Sequence, residues 1–134
     1  MKGELVVSTS FTGGGKANIP VAPFDFARCV DMLGGDRKVV LGLLQEFLAG
    51  LSSQVEAISC ALSEVNPEVV RKEAHYIKGG AAVLSAHALM DAAAVLERIG
   101  RSGDLAEGEE GLVKLAREVA LLLRYCDGLE NGAD

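Results

Sequence analysis

At 134 residues, with 49% hydrophobic residues, 4% aromatics and no Trp, the chain has room for one domain with a real apolar core. Its 13 Lys and Arg against 19 Asp and Glu leave a formal net charge of −6, a poor match for nucleic acid, whose phosphates need clustered cations. No apolar stretch approaches the roughly 18 residues of a membrane span and no signal-peptide pattern opens the chain, so no membrane partner and a cytoplasmic location are expected.

Residues 1–22 are rich in Gly, Ser, Thr and Pro and have no helical period, which predicts a flexible N-terminal tail. Leu5, Val6 and Val7 could form a short strand, but nothing else offers them a partner. Residues 23–130 are expected to be the folded domain. Ala, Leu and Val carry its apolar fraction, a balance that favours helices packed on helices. A short first helix is predicted over Asp25–Leu33, with Ala27, Val30 and Leu33 on one side and Gly34 and Gly35 stopping it.

Asp36 suits the N-cap of a long second helix, whose stripe is Val40, Leu44, Phe47, Leu51, Val55, Ile58 and Leu62. Asn66, Pro67 and Glu68 open a third: a capping side chain, a proline where its missing N–H does no harm, and an acid in the first turn. Its stripe is Val70, Ala74, Ile77, Ala81 and Leu84. The chain turns at Ser85 and Ala86 into a fourth helix with Leu89, Ala93, Leu96 and Ile99 inward, ended by Gly100 to Gly103. Asp104 and Glu107 have capping-box spacing for a fifth, carrying Leu112, Leu115, Val119, Leu122 and Cys126. Four long amphipathic helices with short connections predict an all-α, antiparallel four-helix bundle with a short extra N-terminal helix. The odd count of Cys29, Cys60 and Cys126, at wide spacing, suggests neither disulfides nor a zinc site, and buried thiols are expected.

The third helix is where chemistry could sit. His75 follows the core position Ala74 by one residue, about 100° around the helix, so it should stand off the core. Its neighbours are Arg71, Lys72, Lys78, Gly79 and Ala82, a face basic at its edge and almost bare around the ring. Mid-helix glycines cost roughly 1 kcal/mol each relative to alanine. The stripe continues through Gly79 and Gly80 without a phase break, so the helix should run on. Gly79, one turn from His75, leaves room for another surface to approach the imidazole. Lys78, three residues on, is close enough to stabilise a phosphoryl group by about 1 kcal/mol in water. A free imidazole is mostly neutral at pH 7 and has a lone pair with which to attack phosphorus.

The run Ala74-His75-Tyr76-Ile77-Lys78-Gly79-Gly80-Ala81, followed by Ser85-Ala86, resembles the histidine-containing phosphotransfer (HPt) domain, whose signature reads approximately A-H-x-L-K-G-x-A-x-x-x-G-A. Gly34-Gly35-Asp36 and Glu46-Phe47 are similar to the family's "GGD" and "EF", and Leu96-Glu97 with Gly100-Arg101-Ser102-Gly103-Asp104 to its "LE…G..GD". The resemblance spans roughly residues 24–126. Ile77 stands where leucine is usual and Ser85 where glycine is usual.

The resemblance implies a phosphorelay intermediate. His75 would accept a phosphoryl group, typically on Nε2, from a receiver domain's aspartyl phosphate or from a kinase, and pass it to another receiver. Lys78 would help by charge and Gly79 by access, with Arg71, Lys72 and Ala82 contacting the partner. The chain itself would need no cofactor or metal and no ATP site, since the acid pocket and its Mg²⁺ belong to the receiver. The expected partners are the receiver domain of a response regulator or hybrid histidine kinase, and a monomer suits the family. Two other readings stay open: a helical adaptor that binds receivers or kinases unphosphorylated, and the phosphotransfer module of a chemotaxis-type kinase, which the apparent start Met and the early end of the chain disfavour. His87 and the run Glu107, Glu109 and Glu110 read as solvated helix starts, and Tyr76 as packing at the bundle edge.

Overall fold

The computed structural model describes residues 24–130, with the side chains of 129 and 130 excepted. The expected tail, and any strand over Leu5 to Val7, lie outside the described residues. Five helices follow in order: α1 Phe26–Met32, α2 Arg37–Ser63, α3 Pro67–Val83, α4 His87–Ser102 and α5 Gly108–Glu130. Helices α2 to α5 form a ring in which each packs on the next and α5 closes against α2. The ring is antiparallel: Phe47 of α2 faces Gly80 of α3, Gly100 of α4 faces Arg71 of α3, and Leu62 near the end of α2 faces Gly108 at the start of α5. Links of a few residues leave helices this long no other arrangement.

The helix starts are local chemistry. Asp25 accepts from the Arg28 amide, Asp36 from those of Lys38 and Val39, and Asn66 from that of Val69. Each side chain satisfies donors that the first turn leaves without an intrahelical acceptor.

Three helix ends share one device. The amides of Gly35, Asn66 and Ala86 reach back five residues to the carbonyls of Val30, Ala61 and Ala81, the longer bond of a Schellman motif. Its preceding residue must be left-handed. Gly34 meets this at φ 93°, but Val65 and Ser85 do so at 54° and 57° with side chains attached. That explains why a glycine is usual where Ser85 stands. The Ser85 hydroxyl accepts a hydrogen bond from the Arg28 guanidinium, which ties α1 to the α3–α4 turn.

The predicted stripes of α2 to α5 form the core. Leu44, Leu51, Ile58, Val70, Ala74, Ile77, Ala81, Ala93, Leu96, Leu115 and Leu122 are all buried. Phe47, Val55, Ile99 and Leu112 are half-buried at its rim.

Several expectations need correction. Helix α1 buries Phe26 and Cys29, while Ala27 and Leu33 are exposed and Val30 is only half-buried. Seven residues cannot define a face by period, and aromatic packing decides it: Phe24 meets Phe26 and Tyr125 edge-on, at 6.3 and 5.3 Å between centroids. Within the expected stop at Gly100 to Gly103, it is Gly103, at φ 81°, that ends α4, and the helix runs through Gly100 to Ser102. Gly100 is buried, and a Cβ there would stand 2.5 Å from the Arg71 amide nitrogen and 2.8 Å from the Pro67 carbonyl oxygen. It is a glycine because two helix backbones meet at it.

Asp104 and Glu107 form no capping box. Asp104 accepts from the Ala106 amide in a turn, and α5 begins only at Gly108. Gly108 and Gly111 are glycines because Leu62 and Leu96 press on them. Cys29 and Cys126 are buried, but Cys60 is exposed. Tyr76 is 60% exposed rather than packed at the bundle edge. His87 and the acidic run at the start of α5 are exposed, as expected. Among the described residues no helix is long and apolar enough to cross a membrane.

Candidate functional site

Helix α3 turns its small and aliphatic residues inward, and Ala74 is fully buried. One step on, His75 emerges at the seam between α3 and α4. The side chain is 62% exposed. Across the seam on α4 lies Glu97, 3% exposed and the one buried charged residue among those described. The Gly100–Arg71 contact brings the two helix backbones together less than a turn away from Glu97, which holds its carboxylate within reach of α3.

Three side chains converge on that carboxylate. His75 Nδ1 lies 2.9 Å from Oε2, Arg101 Nη2 donates to the same oxygen at 3.1 Å, and Lys78 Nζ donates to Oε1 at 2.6 Å. The Lys78 bond first, then the His75 bond, hold the Glu97 carboxyl at about 2, against the opposing effect of burial. Glu97 is therefore ionised at any physiological pH.

An ionised carboxylate can only accept, so the bond to His75 requires the proton on Nδ1. In the neutral ring this leaves the lone pair on Nε2, at the edge of the imidazole away from Glu97. A solvent-exposed imidazole of defined tautomer, held by a buried anion, is an oriented nucleophile.

The structure gathers some of the sequence-predicted residues and spreads others. His75 and Lys78 meet through Glu97, with Lys78 two-thirds covered. Gly79 is open, with nothing within 4 Å of where a Cβ would be. Its neighbour Gly80 has a different cause, since a Cβ there would run into the Phe47 ring of α2. Arg71 is engaged by Glu68 through two bonds of 3.2 and 2.6 Å, which raise the guanidinium's already high pKa; the more distant Glu97 charge adds a little. Lys72 and Ala82 are exposed on the same helix.

Sequence reasoning missed Glu97 and Arg101 as site residues. A signal was present, because Glu97 follows the core residue Ala93 by one helical turn and sits beside Leu96. A charge in line with a core stripe needs buried partners.

Residues 42–130 match the sequence pattern of the family described as Hpt domain. The fold is similar to that of histidine-containing phosphotransfer protein B (HptB) from Pseudomonas aeruginosa PAO1. The TM-score is 0.72 at 20% identity, over 81% of this chain and 95% of that one. No curated protein sequence matches the chain. With two thirds of its length under the family pattern and the five helices in place, the chain belongs to the Hpt, or histidine-containing phosphotransfer, domain family.

Proposed function

We propose that His75 is the residue on which this phosphorelay intermediate carries its phosphoryl group, and that Nε2 is the atom that bears it. The observation that carries the reading is the 2.9 Å contact between His75 Nδ1 and the ionised Glu97 carboxylate. It sets which nitrogen is nucleophilic.

The Nε2 lone pair attacks the phosphorus of a receiver's aspartyl phosphate. The N–P bond forms as the P–O bond to the aspartate breaks, and that bonding pair leaves on the aspartate carboxylate. No proton need move. The ring keeps its Nδ1 hydrogen and becomes cationic, and Glu97, already bonded to that hydrogen, stabilises the new charge. Return to a second receiver is the same path reversed. Lys78, one helical turn along α3 from His75, is the cation we assign to the phosphoryl oxygens. The receiver brings its own acid pocket and Mg²⁺, so this chain is a phosphocarrier rather than an enzyme.

The surface around His75 fits a macromolecular partner better than a small ligand. The clefts between α4 and α5 are lined by Val95, Ile99 and Glu107 and include neither His75 nor Glu97. Gly79, Ala82 and Val83 leave a low, partly apolar strip along α3 beyond the ring. Leu43 of α2, a turn before the Phe47 that covers Gly80, is also exposed. A receiver domain docking here would have Gly79 beneath it and Lys72 and Arg71 at the rim.

The test is to incubate the full chain with phosphorylated receiver domains and look for an acid-labile, base-stable label. Wild type is expected to be labelled and His75→Gln not. Label that persists in His75→Gln removes His75 from the role. Receivers that bind tightly yet never label wild type would favour the unphosphorylated adaptor.

A further inference from the structure

Lys78 poses a difficulty for the mechanism, and Arg101 answers it. In the resting protein the Lys78 ammonium is committed to Glu97 Oε1 at 2.6 Å. A shift of its charge toward a phosphoryl group on His75 loosens that contact. Glu97 is 4% exposed at its side chain, so water cannot readily replace the lost partner. The other oxygen, Oε2, is held from both sides of the seam: by His75 Nδ1 from α3 and by Arg101 Nη2 from one turn further along α4.

We propose that Arg101 is a positioning residue that keeps the Glu97 carboxylate fixed and charge-balanced while Lys78 exchanges from Glu97 to the phosphoryl group. The inference rests on His75 being the phosphoryl acceptor.

The exchange balances in charge. Attack by Nε2 turns the ring into a cation beside Oε2, so Glu97 gains a positive partner as Lys78 departs. The Nδ1 hydrogen stays on the ring throughout, and the N–P bond is the only one formed. What the ring cannot supply is orientation. With Lys78 gone, one hydrogen bond would leave the carboxylate free to rotate about its Cγ–Cδ bond. Arg101 provides the second donor to Oε2. It is attached to the same helix as Glu97, so the contact survives small movements between α3 and α4. Arg101 is itself 61% exposed, so its contribution to folding is small and its effect should be felt mainly when Lys78 moves.

The test uses the full chain and phosphoramidate, a small donor that phosphorylates histidine without a receiver. The phosphoryl group on His75 is followed by ³¹P NMR at one mildly basic pH, where the N–P bond survives, with His75→Gln identifying the signal. A lysine in contact with the phosphoryl oxygens changes their chemical shift, and Lys78→Ala gives the position of the signal without that contact. In Arg101→Ala, Lys78 should remain on Glu97 and the signal should move from its wild-type position to that of Lys78→Ala. Arg101→Lys should restore part of the shift. In a Lys78→Ala background, adding Arg101→Ala should change nothing more. The unphosphorylated ¹⁵N signature of His75 should show the Nδ1 hydrogen in both wild type and Arg101→Ala, a result that a general loosening of the fold would not give.

Two results would overturn the proposal. One is a ³¹P signal indifferent to Arg101. The other is an equal shift with and without Lys78, which would place Arg101 on the phosphoryl group itself. A chain that takes no phosphoryl group on His75 at all would instead overturn the functional reading on which this rests.

Discussion

Glu97 Oε2 and His75 Nδ1 lie 2.9 Å apart, although the two residues are 22 positions apart on different helices. A buried anion on α4 thereby sets the tautomer of an exposed ring on α3. The buried charge is tolerated because Lys78 and Arg101 bond to the same carboxylate. The arrangement gives the site its orientation and also makes it sensitive to changes that never touch the ring.

Glu97→Gln should slow phosphoryl transfer without unfolding the bundle. The amide can still occupy the space, but it no longer demands a hydrogen on Nδ1 and no longer balances the cationic ring. We expect a loss of about tenfold to a hundredfold in rate, the scale of one charge-assisted hydrogen bond. Single-turnover transfer from a phosphorylated receiver measures it. An unchanged rate would show that the Glu97 contact plays no part in the chemistry.

The same carboxylate predicts how stability falls in acid. Its pKa is depressed from 4.5 to about 2 in the folded chain. A depressed carboxylate stabilises the fold above its unfolded pKa, and the contribution is lost as pH falls from about 4.5 toward 2. The amount at neutral pH is at most on the order of 3 kcal/mol. Urea unfolding at pH 7 and pH 3 should show a larger difference for wild type than for Glu97→Gln.

The adjacent glycines should separate. Gly79→Leu adds a side chain to open surface, so helicity and melting temperature should hold while transfer slows. Gly80→Ala drives a methyl group into the Phe47 ring and should destabilise by about 1–3 kcal/mol, as overpacking does. Thermal unfolding and transfer rates measured on the same two variants distinguish access from packing. Equal loss of stability in both would mean that Gly79 is structural after all.

Val65→Asn should raise stability by about 1 kcal/mol, because a β-branched residue held at φ 54° is strained where asparagine is tolerated. Val65 is 70% exposed, so little packing is lost. The expected outcome is a higher midpoint in denaturant with unchanged transfer. A lower midpoint would show that the exposed valine has an unrecognised contact.

The helices, their caps at Asp36 and Asn66 and the stripes of α2 to α5 were legible in the sequence. They depend on neighbours within a few residues, and the 3.6-residue period writes them directly into the chain. His75, Lys78 and Gly79 could be singled out as candidates for the same reason, as three positions on one helical face with a family-like spacing. Helix α1 was misread because seven residues hold too few turns for a period to select a side.

What only the tertiary structure decided lies across the α3–α4 seam. The sequence shows Glu97 and Arg101 as one acid and one base a turn apart on an amphipathic helix. It does not show that Gly100 lets that helix close on Arg71 and Pro67, so that the acid lands beside His75 and Lys78. The two adjacent glycines look alike in the chain, yet Gly80 faces Phe47 and Gly79 faces nothing. Local periodicity says which way a side chain leaves its own helix. What it then meets depends on how closely another helix approaches, and that is set by side chains distant in sequence.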